Sequence, residues 1–293
     1  MKDQKVEFQS VGERIIGRLH LPYSPPRGVI VTTGPLTSVK EQAPGAYARA
    51  LAARGFVALA FDHRTFGESD GQPRQFENPA SKIEDIRNAV TFLKNDAQTQ
   101  RLPMFAVGIC AGGGYMAAAV AQEPRFRAFA GVAGVYFDAV QTKVGMGADY
   151  EKALSRAAAA ERRWRETGVA ETIPAVAVDN DDVAMPLNEA YEYYGTSRGA
   201  VPNYVNGFAV MSRLYTLTFD AQVIAPGIKT PTLVVHSDHA LAPGWAHAFV
   251  AKLTVPKKEL WHTSKGQIDF YDDPRLINES SDAIAAHFIE DSV

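Results

Sequence analysis

Short apolar runs separated by helix-patterned stretches set the plan of this chain. Val6-Glu7-Phe8 and Glu13 to Leu21 alternate apolar and polar positions, predicting a β-hairpin broken at Gly12. Gly28 to Thr33 and Phe56 to Phe61 are unbroken apolar runs, the pattern of strands covered on both faces. Ala43 to Arg54 is helix-patterned and stops at Gly55, a good residue to follow a helix end. Ser81 to Lys94 puts Ile83, Ile86, Val90 and Leu93 on one helical stripe. Met104 to Ile109 is a further apolar run, followed by an Ala-rich helix over 111–122 and a small-residue strand from Phe126 to Val135. This βαβαβαβ alternation predicts an α/β fold, a mostly parallel central sheet flanked by helices on both faces.

From about residue 138 to 223 the alternation stops. Tyr150 to Glu166 is a charged, Ala/Arg-rich helix, 170–183 is irregular, and Asn188 to Tyr194 is a short aromatic helix. Strand patterns resume at Thr230 to His236 and Lys258 to His262, with helices following at 245–253 and 278–289. The expected division is therefore a core of 1–137 and 224–293 with a helical lid of 138–223. An insertion at the C-terminal edge of a parallel sheet stands over the place where such sheets bind ligands. Its aromatic residues (Tyr191, Tyr193, Tyr194, Tyr204, Phe208 and Tyr215) have two readings: a surface for an apolar or aromatic substrate, or the lid's own small core.

Composition narrows the choices. Hydrophobic residues make up 46% of the chain and charged residues 22%, which fits a packed globular protein rather than a disordered one. A net charge of −3 without basic clusters argues against nucleic acid or an anionic membrane surface as partner. No run of about 18 apolar residues occurs and Met1 to Lys5 opens no signal segment, so a cytoplasmic protein is expected. One cysteine excludes an intrachain disulfide, and no His/Asp/Glu cluster has ligand spacing, so neither a metal nor another cofactor is expected.

That cysteine carries the chemistry. Cys110 lies in Gly108-Ile109-Cys110-Ala111-Gly112, directly between an apolar strand and an Ala-rich helix. This is the nucleophile-elbow pattern with cysteine in place of serine. The flanking glycines leave room for backbones that crowd a tight strand-to-helix bend, and the first amides of the helix point at a nascent oxyanion. A buried structural cysteine is the plainer reading of a lone thiol. The strand before it, the helix after it and its place in the chain favour the elbow.

With these elements in order, the chain resembles the α/β-hydrolase superfamily over nearly its whole length. The elbow, the Phe61-Asp62-His63-Arg64-Thr65-Phe66-Gly67-Glu68-Ser69-Asp70-Gly71 turn, the Thr33-Gly34 turn and the Pro231 to Pro243 strand and loop carry the resemblance. Cys110 and Val39-Lys40-Glu41-Gln42 are similar to features of dienelactone-hydrolase-like and small bacterial acyl-esterase-like members. The resemblance implies a nucleophile, an acid and a histidine in that order, mapping onto Cys110, Asp238 and a residue after the last strand. There the family often has Gly-x-His-x-Asp-x-Tyr-Asp, and this chain has Gln267 in place of the histidine.

An amide takes no proton near neutral pH, and losing a general base costs about 10²–10⁴ in rate. A thiol tolerates that loss better than a hydroxyl. Among His236, His239 and His262, His239 is preferred as a substitute because it shares its loop with Asp238. The expected oxyanion donors are the amides of Ala111 and of Leu36, since Pro35 has none. Asp62 and Arg64 are expected to pair as a brace, and Glu41 either approaches Cys110 or offsets a helix N-terminus.

Two functions remain. One is hydrolysis of carboxylic esters or thioesters through an acyl-Cys110 intermediate, with Asp238, His239 and Gln267 assisting, on a small-molecule acyl substrate. The other is a protein with a degraded triad that binds a hydrophobic small molecule or catalyses acyl transfer, isomerisation or C–C cleavage. The oligomeric state, a homodimer included, is left open.

Overall fold

A computed structural model describes residues 1–290; the last three residues of the 224–293 segment lie outside it. The chain opens with a hairpin of β1 (Lys2–Ser10) and β2 (Glu13–Leu21), longer on its first arm than the alternation predicts. Its turn places Val11 and Gly12 at φ 52° and 82°, the left-handed pair that a tight hairpin needs. Next come β3 (Val29–Thr33), α1 (Ala43–Ala52), β4 (Val57–Phe61), α2 (Pro79–Asn95), β5 (Met104–Ile109), α3 (Ala111–Gln122) and β6 (Phe126–Val132).

Every residue of β3, β4 and β5 is buried, as expected of strands sandwiched between helix layers. α2 begins two residues before the amphipathic stripe, because Asn78 accepts the amides of Ala80 and Ser81 and Pro79 fits the first helical turn. β6 stops three residues short of the apolar run, where Ala133 turns into a positive φ of 42°.

The inserted segment holds α4 (Ala139–Met146), α5 (Ala148–Thr167), β7 (Thr172–Ile173), α6 (Asn188–Tyr194), β8 (Phe208–Ala209) and α7 (Arg213–Thr216). α4 and the two-residue ribbon β7–β8 had no sequence signal, being too short to show periodicity. α5 buries Ala153, Ala157 and Ala160 along one stripe against 210–212 and α7. The core resumes with β9 (Thr232–His236), α8 (Pro243–Lys252), β10 (Lys257–Trp261), α9 (Asp269–Asp272) and α10 (Pro274–Glu290).

The eight-stranded sheet runs β1-β2-β4-β3-β5-β6-β9-β10, antiparallel through β2–β4 and parallel from β4 to β10. α1 and α10 pack together over the sheet, while α2 and α3 form a second helix pair and α8 packs on β9. Among the described residues no helix is long and apolar enough to cross a membrane. The parallel strands deliver their C-terminal ends to one edge, and β5 delivers Cys110 there.

Candidate active site

Cys110 sits between β5 and α3 with φ 55° and ψ −125°, a conformation that costs about 1–3 kcal/mol and survives only where the surroundings fix it. Three backbone hydrogen bonds do so: its N–H donates to Val132 at 3.1 Å, and its carbonyl accepts from Gly113 and Val135, both at 2.8 Å. A side chain at Gly108 would lie 2.3 Å from the Gly112 oxygen, and one at Gly112 2.7 Å from the oxygens of Thr33 and Gly34. The glycines are there for space.

Cys110 is 6% exposed and lines a cavity of about 380 Å³. Leu36, Val135, Phe137, Met185, Leu187 and Leu241 give that cavity its apolar character, and the inserted segment supplies much of its lining. Of the six lid aromatics, only Tyr194 and Phe208 line it. Tyr193 and Tyr191 pack on the core, Tyr204 lies against Tyr194 with centroids 5.2 Å apart, and Tyr215 meets Phe76 at 5.5 Å. These rings thus mostly fasten the inserted segment onto the core, an outcome neither reading of them anticipated.

Burial pushes the Cys110 thiol up, and the nearby Tyr271 hydroxyl, the amides of Ala111 and Leu36 and the Gln267 side chain oppose it. The two backbone amides expected from the sequence, of Ala111 and Leu36, are among the groups that act on the thiol. Gln267 is buried, and its amide is fully engaged. Oε1 accepts from Leu241 N–H at 2.9 Å, and Nε2 donates to the Ala133 carbonyl at 2.9 Å and to the Tyr271 oxygen at 3.3 Å. The result is a directed chain from Gln267 N–H to Tyr271 O–H to sulfur. Burial, followed by the nearby Cys110 and Tyr194, holds the Tyr271 phenol well above its ordinary range, so it remains a donor throughout the physiological pH range.

Tyr271 was not singled out from the sequence. Its signal was its place four residues after Gln267 across the one-turn helix α9, which brings both side chains to the same side.

Asp238 and His239 do not join this cluster, correcting the expectation from the resemblance. Both are exposed and neither lines the cavity. Asp238 is 79% exposed, with Oδ1 3.8 Å from Nε2 of His247. The physical reason is the anchoring of their loop: Leu241 N–H is fastened to Gln267, so Leu241 and Ala242 face the cavity while 238 and 239 turn to solvent.

No other histidine takes the vacant role. Among the described residues lining the cavity there is no histidine. His236 bonds the carbonyls of Ser237 and Gly134, and His262 lies 3.3 Å from Glu279. His63 links Thr33 Oγ1 at 2.7 Å to Asp85 at 3.3 Å, and its burial depresses its pKa. Among the described residues no group of three His, Cys, Asp or Glu is arranged to hold a metal ion.

The loop carrying Leu36 is held from below by buried charge. Thr37 N–H donates to Glu77 Oε2 at 3.1 Å, and Glu77 pairs with Lys82 at 2.6 Å. The expected Asp62–Arg64 pair is not formed. Asp62 instead pairs with Lys40 at 2.7 Å and accepts the Lys40 amide at 2.7 Å, while Arg64 turns to Asp85 at 2.7 Å. Glu41 also belongs to this cage, 2.9 Å from Lys40 Nζ, and not to the sulfur.

Burial pulls the Lys40 ammonium down, but Asp62, Glu68 and Glu41 outweigh it and leave it raised. Hydrogen bonds from Lys40 and then Lys5 hold Glu68 down at about 2. Lys40→Ala strands Asp62 without its cation and is expected to cost about 3–5 kcal/mol in urea unfolding; a loss under 1 kcal/mol would contradict this role.

Comparison with known proteins follows the same lines. The sequence profile of the hydrolase family described as serine aminopeptidase, S33, matches residues 26–266. Protein YcjY of Escherichia coli strain K12 is 30% identical over 308 aligned positions, covering 99% of each chain. The crystal structure of protein PA2218 from Pseudomonas aeruginosa superimposes with a TM-score of 0.84 at 27% identity, covering 100% of this chain and 94% of that one. A shorter match, 38% identical over 91 residues, is to thiohydrolase aneE of Aspergillus aculeatus and covers 31% of this chain and 28% of that protein.

Proposed function

Because this chain belongs to the serine aminopeptidase S33 family of α/β-hydrolases, we propose that it cleaves carboxylic esters or thioesters of apolar acyl groups through an acyl-Cys110 intermediate. The observation carrying this reading is the sulfur on a strained elbow, between the amides of Ala111 and Leu36, open to an apolar cavity. A relative named a thiohydrolase supports the thioester branch.

In the acylation step the Cys110 thiolate attacks the carbonyl carbon, and the C=O electron pair moves onto oxygen between the two amides. Each donor to that oxygen is worth about 2.7–4 kcal/mol. Collapse of the adduct breaks the bond to the leaving oxygen or sulfur, which takes up the proton the thiol has released. Tyr271 O–H first stabilises the thiolate; once sulfur becomes a thioester it is a poor acceptor, and the hydroxyl is free for the leaving group. Water then releases the acid and restores the thiol.

Gln267 favours a second reading of the last step. With no histidine at the cavity, water attacking the acyl-enzyme lacks the family's base, so transfer of the acyl group to another acceptor competes with hydrolysis. Binding of a hydrophobic molecule without turnover is the outcome if acylation also fails.

The test is p-nitrophenyl butyrate with intact-protein and peptide mass spectrometry. A burst of p-nitrophenol matching the protein concentration is expected, with one butyryl group on the peptide holding Cys110. Since burial raises the thiol, the thiolate fraction gains about tenfold per pH unit below its pKa, and the burst rate between about pH 6 and 8 should follow with that slope. Levelling near pH 6.5, or acylation elsewhere, would overturn the mechanism.

A further inference from the structure

Arg213, at the start of α7, is the one cation among the described residues lining the cavity that holds Cys110. Its guanidinium is mostly enclosed, with 21% of the side chain exposed, yet among the described residues it makes a single hydrogen bond, Nη2 to the Val183 carbonyl at 3.1 Å. Its nearest carboxylate, Asp182, is 4.0 Å away and gives both oxygens to Arg156 at 2.8 and 2.9 Å. Arg156 also takes Glu171, so both acids of this small cluster are spent on one arginine.

Arg213 has five N–H donors in a planar fork and leaves most of them uncommitted beside an otherwise apolar chamber. The other charged residue at the wall does not answer it: Glu189 holds the amides of Gln267 and Ile268, each at 3.3 Å. Thr142 and Thr216 direct their hydroxyls to backbone carbonyls of their own helices. An enclosed cation without a committed anion lowers its free energy by taking one from the ligand.

We propose that the acyl part of the substrate ends in a carboxylate bound by Arg213, making the preferred substrates esters or thioesters of ω-carboxyacyl groups. This rests on the acyl-Cys110 reading and adds the substrate class. The apolar wall takes the methylene chain, Cys110 meets the carbonyl at one end, and Arg213 receives the anion at the other. Arg213 is thus a specificity-determining residue that leaves the reacting bond to Cys110.

The test compares p-nitrophenyl butyrate with the mono-p-nitrophenyl esters of succinic, glutaric, adipic and suberic acids. The ratio of kcat/KM for each carboxylated ester to that for the butyrate is read in wild type, Arg213→Lys and Arg213→Met. One chain length should stand out in wild type, its ratio falling about 10- to 100-fold in Arg213→Met and less in Arg213→Lys. Using a ratio cancels any general disturbance of the lid.

Calorimetry of monoethyl glutarate and monoethyl adipate on Cys110→Ala, with and without Arg213→Met, separates this claim from turnover. Arg213-dependent binding without ester turnover sinks the catalytic reading and keeps the anion site. Turnover with a ratio indifferent to residue 213, or binding of neither monoester, overturns the anion site.

Discussion

Cys110→Ser is expected to lower turnover of an activated ester by about 10⁴-fold, close to what Cys110→Ala loses. In a hydrolase with an intact triad, histidine removes the proton that a serine cannot lose unaided. Here the polar groups that face the sulfur, the Tyr271 O–H and two backbone amides, are all donors. Donors stabilise an anion once formed but accept no proton. A thiol ionises to a useful degree unaided; an alcohol does not. Serine at 110 therefore keeps the elbow and the cavity and loses the reaction. Initial rates on p-nitrophenyl butyrate check this, with circular dichroism to confirm folding. A serine variant within tenfold of wild type would reveal a base that the geometry does not contain.

The opposite change is expected at Gln267. Gln267→His should raise the hydrolytic rate at pH 7.5 by about 10²-fold, the lower end of what a general base supplies. The site already holds an orienting acceptor, the Ala133 carbonyl, 2.9 Å from Gln267 Nε2. An imidazole donating one N–H there turns its other nitrogen toward Tyr271 and the sulfur. The gain stays at the low end because a carbonyl, not a carboxylate, orients the ring, and because Leu241 N–H loses its acceptor. The rate should also stop climbing with pH above the imidazole pKa, about 6.5. Deacylation followed by loss of the acyl adduct gives the cleanest reading. A folded variant whose adduct clears no faster would show that the ring faces away from the thioester.

How much of this was legible in the sequence depends on how local each feature is. The elbow was readable because its cause is local: Gly108 and Gly112 are forced by backbone atoms within a few residues or on adjoining strand ends. Gln267 was readable by position alone, since Asp269, Tyr271 and Asp272 after it keep the spacing of the family pattern. Asp238 and His239 were misplaced because the direction of their loop is set by one long-range bond, Leu241 to Gln267, that no local pattern encodes.

Lys40 stood in a quoted motif, but lysine is so seldom fully buried that its role was invisible until Asp62 and Glu68 came beside it. Tyr271 escaped for a similar reason. A tyrosine in an aromatic segment carries no chemical meaning until its oxygen is found on a sulfur. The inner strands β3, β4 and β5 were legible because buried strands announce themselves by unbroken apolar runs, while Lys2 to Lys5 of the exposed edge strand β1 carried no such signal.

The Glu189 carboxylate has a consequence for how a substrate gets in. It projects from lid helix α6 and grips the amides of Gln267 and Ile268, with Gly266 leaving it room. Swinging α6 outward therefore either snaps this grip or drags the Gln267–Tyr271 segment away from the thiol. Where the grip holds, opening the doorway would also draw Tyr271 off the thiol, coupling access to the chamber with the dressing of the nucleophile through one carboxylate.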